Sequence, residues 1–351
     1  MSPSQSKAIL VLPRLRVQNA NAISSPLTHG FPSITAFTGL MWALQRKLVQ
    51  AGIPLQLHAV GVICHSHQEQ VTQGYLQSFN LTRNPVDKDG STSAIVEEGR
   101  IHLDVTLVFS VSEKRQAGGE ALLVQDNDTQ LADWAQQAGD IASQMRVARG
   151  TVLATRRLPG KRVKPWIGVV ADDANEAAKQ FREWRRQWLP GFALVGRDDL
   201  LATRLQHLRK TTPDATLLDA WLHAARFNHE PLPAEDNKVR CGDPLRPKGS
   251  GWTVPIPVGY TALSQRQAAG TVLNARDMAT PLRFVESVYS MGEWIGPHRL
   301  THLDELLWHA ETDESLGLYR CRNGYKPPVT SLDATNEGAA LNDEEDVYVY
   351  D

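Results

Sequence analysis

The sequence predicts an α+β fold on three observations. Apolar residues run continuously or alternate in four places, as strands require. Between them lie two stretches whose apolar residues recur every three to four positions, as helices require. Taken in order, these elements give β-α-β-β-α-β, followed by a more helical C-terminal region.

The first strand, residues 8–18, opens on Ala-Ile-Leu-Val-Leu. A run without alternation suits a strand buried on both faces, and Pro13 is expected to stop it. Ser33 starts a helix whose Phe37, Leu40, Met41, Leu44 and Leu48 share one face. The second strand covers residues 55–64. In the third, Ile101, Leu103, Val105, Leu107 and Phe109 alternate with His102, Asp104, Thr106 and Val108. The segment between these two strands carries the turn dipeptides Asn84-Pro85 and Asp89-Gly90, so residues 70–95 read as a protruding hairpin or arm. Residues 128–147 form the second helix, through Leu131, Trp134, Ala138, Ile141 and Met145, and a fourth strand follows at 166–171. This is the ferredoxin-like arrangement, which also describes RNA-recognition modules. No strand carries the Lys/Arg-Gly-aromatic-x-aromatic pattern that stacks bases, so any RNA is expected to be held by loops and the arm.

In the second half, residues 172–189 place Ala177, Phe181, Trp184 and Trp188 on one helix face and Lys179, Arg182, Arg185 and Arg186 on the other. A short strand at 192–195 follows, then a helix through Leu200, Leu201, Leu205 and Leu208. Another helix is expected to start at Thr212-Pro213-Asp214. Residues 229–251 read as a long loop, and the prolines of residues 252–260 argue against a central strand there. The expected organisation is a core over residues 1–171, a mixed helical region over 172–330, and an acidic, disordered tail over 331–351.

At 351 residues, 42% hydrophobic and 22% charged, the composition is that of a folded protein. The longest apolar runs fall far short of the ~20 residues a membrane span needs, and the N-terminus lacks a signal-peptide pattern. Three widely spaced cysteines offer neither a disulfide framework nor a zinc ribbon, so a cytoplasmic protein without a membrane partner is expected. The net charge of −2 conceals two opposite regions. Residues 331–351 hold seven acids and no Lys or Arg, while residues 141–210 hold fifteen Lys/Arg against six Asp/Glu. A basic body with an acidic tail is a pattern of polyanion-binding proteins. From Val17 to Gln45 there is no charged residue at all, which suggests a loop packed against something.

No Walker loop, dinucleotide fingerprint, nucleophile elbow or His-Glu-x-x-His motif is present. His298, His302, Glu305 and His309 have helical spacing but are better explained as a polar helix face, and Cys64-His65-x-His67 lacks further ligands. No metal, cofactor or catalytic residue is therefore expected. A metal-independent ribonuclease, using one His on a 2′-hydroxyl, stays open as the alternative. Three features favour nucleic-acid binding. They are Arg146 and Arg149 at a helix end running into Gly150, Arg83 and Asn84 in the arm, and Asn274, Arg276 and Arg283 in turn-like context.

Several longer strings are more specific. They are Leu-Pro-Arg-Leu-Arg-Val-Gln-Asn-Ala-Asn-Ala-Ile-Ser-Ser-Pro-Leu-Thr at 12–28, Phe-Asn-Leu-Thr-Arg-Asn-Pro at 79–85 with Asp-Gly-Ser at 89–91, and Ile-Val-Glu-Glu-Gly-Arg at 95–100. Leu-Pro-Gly-Phe-Ala-Leu-Val at 189–195 follows. Asn-Ala-Arg-Asp at 274–277, Thr-Pro-Leu-Arg-Phe-Val-Glu at 280–286, Gly-Glu-Trp at 292–294 and Pro-His-Arg at 297–299 complete the set. In this order the sequence resembles the tail subunits of type I-F CRISPR surveillance complexes, the Cas-five-like Csy proteins, from about residue 8 to 320. The acidic tail lies outside the pattern. The resemblance implies a non-catalytic subunit of RNA-recognition type, paired as a heterodimer with a separate large subunit and holding the 5′ handle of CRISPR RNA. It makes the arm a thumb that meets the first backbone subunit, with target DNA read indirectly through the guide. The expected RNA-binding residues are then Arg16, Asn19, Asn21, Ser24 and Ser25 in the first matched string, with Arg83, Asn84, Arg146, Arg149, Asn274, Arg276 and Arg283.

Overall fold

The structure is a computed structural model describing residues 7–83, 89–91, 95–114, 122–124, 127–156, 159–232, 240–246, 251–275 and 277–327. It is α+β. Eleven strands form one antiparallel sheet: β1 (Ala8–Asn21), β2 (Leu55–Glu69), β3 (Arg100–Glu113), β4 (Arg146–Val147), β5 (Gly150–Leu153), β6 (Trp166–Val169), β7 (Phe192–Gly196), β8 (Trp252–Ala262), β9 (Val285–Ile295), β10 (Leu307–Asp313) and β11 (Leu318–Asn323). Its order is β4-β5-β1-β3-β2-β7-β9-β8-β11-β10, with β6 also paired to β1. The helices are α1 (Ile34–Gln50), α2 (Asp128–Ser143), α3 (Ala174–Gln187), α4 (Asp198–Arg209) and α5 (Leu217–Ala225). No helix among the described residues is long and apolar enough to cross a membrane.

The sheet is buried on both sides, and each side uses alternate residues of the same strands. Leu10 and Leu12 of β1 and Leu107 and Phe109 of β3 face Phe37, Met41 and Leu44 of α1 and Leu131 and Trp134 of α2. Ile9, Val11 and Val108 join Trp166, Phe181 and Trp188 on the opposite side, where α3 packs. This two-sided burial explains the unbroken apolar run that opens β1, since both side-chain rows leave water. Each fully buried Leu, Ile or Phe contributes about 1.5–3 kcal/mol relative to exposure.

Beyond β2 the pairings close a circuit. Ile63 and Cys64 of β2 pair with β7, while Val60 and Gly61 pair with β10, so β2-β7-β9-β8-β11-β10 returns to β2. Closure removes one free sheet edge. Trp308 anchors it, fully buried and donating from Nε1 to the Leu194 carbonyl at 2.9 Å.

Several expectations need correction. Pro13 does not stop β1, because a bulge between Leu12 and Leu15 removes the need for its missing N–H; Arg14 takes a positive φ of 53° and its N–H goes to Thr106 Oγ1 at 3.1 Å. The second helix ends at Ser143, not 147. The α5 start is Thr216, which forms a capping box with Asp219, rather than Thr212. Residues 252–262 are a paired strand inside the sheet. Pro255 and Pro257 fall where only β9 is a neighbour, and β11 joins at Gly259. The region expected to be more helical supplies five of the sheet strands. His298 lies in one 3-10 turn, His302 caps the start of another and His309 lies in β10, so they do not share one helix, and Glu305 accepts from the backbone of Thr301 and His302.

Candidate nucleic-acid interface

The chain leaves α2 at Gln144 and turns back in a two-residue hairpin. Val147 pairs with Gly150, and Ala148 and Arg149 between them have φ of 46° and 70°. Two positive φ values define the turn whose twist suits a hairpin, and Asn-Gly is its usual sequence. Non-glycine residues there are strained by roughly 1–2 kcal/mol each. Neighbouring structure holds them in place. Asn21 N–H donates to the Ala148 carbonyl at 2.9 Å, and Gly150 lies so close to β1 that a Cβ would meet Val17 Cγ1 at 2.5 Å and Ala20 N at 2.8 Å. Gly150 therefore serves strand packing, which replaces the reading that it clears room for a ligand backbone. Arg146 and Arg149 sit on a hairpin, not on one helix face. Both are exposed, and neither is in a salt bridge among the described residues.

Two grooves meet at this hairpin. The larger, about 730 Å³, runs between Asn21, Ser24 and Ser33 on one wall and Ala36, Gly39 and Ala43 of α1 on another, with Met145, Arg146, Ala148, Arg149, Tyr260 and Tyr319 completing it. The charge-free stretch 17–45 thus builds much of the walls, and among the described residues Arg146 and Arg149 are the only charged ones lining the groove. Ser33 caps α1 by accepting from Thr35 N–H at 3.3 Å. Tyr260 and Tyr319 stack with centroids 6.4 Å apart. The Tyr319 hydroxyl reaches Thr38 Oγ1 at 3.0 Å, and burial pushes its pKa up to about 12. The smaller groove, about 450 Å³, lies on the other side of the two arginines, against Gln18, Asn19, Gln70, Asn80, Glu98, Arg100 and Thr151. A pair of exposed guanidiniums between a groove with no other charge and a groove whose further charges, Glu98 and Arg100, pair with each other can hold successive phosphates, while tyrosines and amides face the bases.

The predicted residues divide accordingly. Asn19, Asn21, Ser24, Arg146 and Arg149 line the grooves. Asn21 spends both amide atoms on the Ile23 backbone, and Ser24 and Ser25 both bond Thr28 Oγ1, at 2.8 and 2.6 Å; Ser25 is buried. Arg16 is exposed on β1 opposite Asp104. Asn274, with φ 58°, is exposed in a turn between β8 and β9. Arg283 is half-buried against the Gly317 turn, with Nε lacking a partner among the described residues. Arg83 belongs to a short strand paired with Ile95–Glu97, its side chain outside the described residues, as are Asn84 and Arg276. Sequence reasoning missed Tyr260, Tyr319 and the small residues Ala36, Gly39 and Ala43. Their spacing of three and four does mark a second face of α1, but says nothing of what faces it.

The arm is described in part. Val71–Gln73 pairs with Gln77–Phe79 and Leu81–Arg83 with Ile95–Glu97, each as a separate two-stranded ribbon. Tyr75 and Leu76 at the first turn are exposed. Among the described residues no group of three or more metal-binding side chains comes together.

Comparison with known proteins adds family-level information. The family model described as CRISPR-associated protein (Cas_Csy2) matches residues 10–321. The chain is 44% identical over 330 residues to a protein of Pseudomonas aeruginosa (strain UCBPP-PA14) described as CRISPR-associated protein Csy2, covering 91% of this chain and 96% of that one.

Proposed function

Because the chain belongs to the Csy2 family of CRISPR-associated proteins, we propose that it is a non-catalytic subunit of a type I-F surveillance complex, holding the 5′ handle of CRISPR RNA together with the large subunit. The observation that carries this reading is the strained hairpin presenting Arg146 and Arg149 between two polar grooves, with no acid lining the larger one. Strain of this kind persists where surrounding structure enforces it, and it collects at functional sites. The order β5/β6-β1-β3-β2, all antiparallel, supports a ferredoxin-like core over residues 1–171 with the 172–330 region built onto it. On such a core RNA usually meets the open sheet face. Here α3 covers part of that face, which favours the grooves and the arm. The arm, with Tyr75 and Leu76 exposed at its first turn, is the thumb that meets the backbone subunit and caps the filament. Among the described residues no histidine lines either groove, which favours binding over the ribonuclease alternative.

The test is a double Arg146→Ala/Arg149→Ala variant, co-purified with its large-subunit partner. Handle affinity should weaken by roughly 1–3 kcal/mol per lost charge-assisted contact and the salt slope should become shallower, with the melting temperature near normal. Unchanged affinity and slope would remove these arginines from the site. Cleavage of precursor RNA by the purified chain would replace the binding reading altogether.

A further inference from the structure

A second basic surface lies away from the grooves. Lys179, Arg182 and Arg186 of α3, spaced three and four apart, form one exposed stripe, and none is in an ion pair among the described residues. On the opposite, inward face of α3, Trp184 lies 5.7 Å from Trp166 with the rings tilted, and the Arg162 guanidinium sits 4.9 Å above the Trp166 ring at the flank of the helix. Lys161 joins the same surface by donating to the Leu189 carbonyl at 2.6 Å, just past the end of α3. Glu176 and Glu183 flank the stripe, so the surface stays net positive.

The far end of the chain comes back to the apolar cluster that α3 covers. Tyr325 packs against that cluster, which includes Phe181 and Trp188 of α3, and the Arg197 guanidinium lies 6.0 Å from the centre of its ring. The family match stops at residue 321, and the described residues stop at 327. Beyond them the sequence carries Asp333, Glu337, Asp343, Glu344, Glu345, Asp346 and Asp351, with no Lys or Arg after residue 330. Six residues of extended chain reach ~20 Å, about the length of the 14-residue α3. A tether this short keeps the acids at millimolar effective concentration over the helix, so even a weak intrinsic attraction leaves them bound much of the time.

We propose that the exposed face of α3 is the docking surface of the chain's own acidic segment, residues 333–351. The opposite charges and a chain exit at the apolar cluster under α3 select this occupant over a second copy or a nucleic-acid strand. Docked, the segment screens this face from non-specific polyanions and leaves the Arg146–Arg149 grooves free. The inference does not depend on the handle reading.

Zero-length carbodiimide cross-linking of the full chain, read by mass spectrometry, tests it without RNA. At low salt, Lys179 should cross-link to acids within residues 333–351 in the monomer at any protein concentration. The product should vanish near 1 M salt, where the screening length is about 3 Å. A full-chain Arg182→Glu/Arg186→Glu variant should lose the cross-link with an unchanged melting temperature. Neutralising four acids, as Asp343→Asn, Glu344→Gln, Glu345→Gln and Asp346→Asn, should tighten oligo-dT binding by about fivefold if the segment covers four-fifths of the molecules. Tail acids that cross-link only to Lys326, to lysines off this face or between two chains overturn the proposal. So does a wild-type chain in which oligo-dT, and not the tail, protects Lys179 from acetylation.

Discussion

His65 of β2 is held from both sides of its ring. Nδ1 lies 2.7 Å from the Pro190 carbonyl, which can only accept, so Nδ1 carries the proton. Nε2 lies 2.7 Å from Thr106 Oγ1, whose hydroxyl donates to it while accepting from Arg14 N–H. A second proton, on Nε2, would force the Thr106 hydroxyl to give up its donation and accept twice, from the ring and from Arg14 N–H. Burial, reinforced by the nearby Arg14 and Lys161 charges, lowers the pKa from 6.5 to about 4 despite the Pro190 bond. Between those values the unfolded chain binds a proton that the folded chain refuses, so stability falls as pH drops from 6.5 towards 4. The upper bound from this one group is about 3 kcal/mol. Denaturant titrations across that window should show a shallower pH dependence for His65→Gln than for the wild type. Parallel curves would mean that the His65 network does not control the acid response.

At the scale of elements, the hairpin carrying Arg146 and Arg149 depends on how closely it meets β1. A methyl group on Gly150 would enter the space of Val17 Cγ1 and of the Ala20 backbone, at 2.5 and 2.8 Å. The Ala20 atoms belong to a strand hydrogen-bonded to β3 and cannot withdraw without breaking the ladder. Gly150→Ala should therefore cost about 1–3 kcal/mol, seen as a lower urea midpoint at constant slope. A midpoint equal to the wild type would show that the hairpin floats. The α4–α5 pair rests on a different device. Arg204 and Asp243 form a buried pair at 2.8 Å, with Asn228 Nδ2 donating to the other carboxylate oxygen at 3.0 Å. Losing one partner from such a pair typically costs 3–5 kcal/mol, so Arg204 is a core residue of α4 although its type suggests surface.

For the molecule as a whole, the arm stands apart from the sheet. Among the described residues its two ribbons pair as strands only with themselves, and the main sheet passes through β2 and β3 without them. Deleting residues 80–90 should leave thermal unfolding near that of the wild type and impair assembly with RNA and the backbone subunit, measured by co-purification. Normal assembly of the deletion variant would remove the thumb assignment.

Local rules made much of this chain legible. Apolar periodicity located the buried face of α1, the strands at 55 and 100, and the helix carrying Phe181 and Trp188, because burial of one row of side chains leaves its period in the sequence. The charge-free stretch 17–45 signalled a wall packed against something before any groove was visible. Local rules failed where partners came from far along the chain. Pro13, Pro255 and Pro257 look like strand breakers in the sequence, but a bulge and a one-sided neighbour accommodate them. Met145 continued the α2 periodicity, yet the backbone turns at Gln144 because Asn21 and β1 hold the hairpin. The closure of β10 onto β2, and the pairing of Tyr260 with Tyr319 opposite α1, join residues separated by up to some 250 positions. Sequence by itself determined which surfaces must leave water and where charge is absent. Which surfaces meet was decided only by the tertiary structure, because side-chain period records that a face is buried and not what buries it.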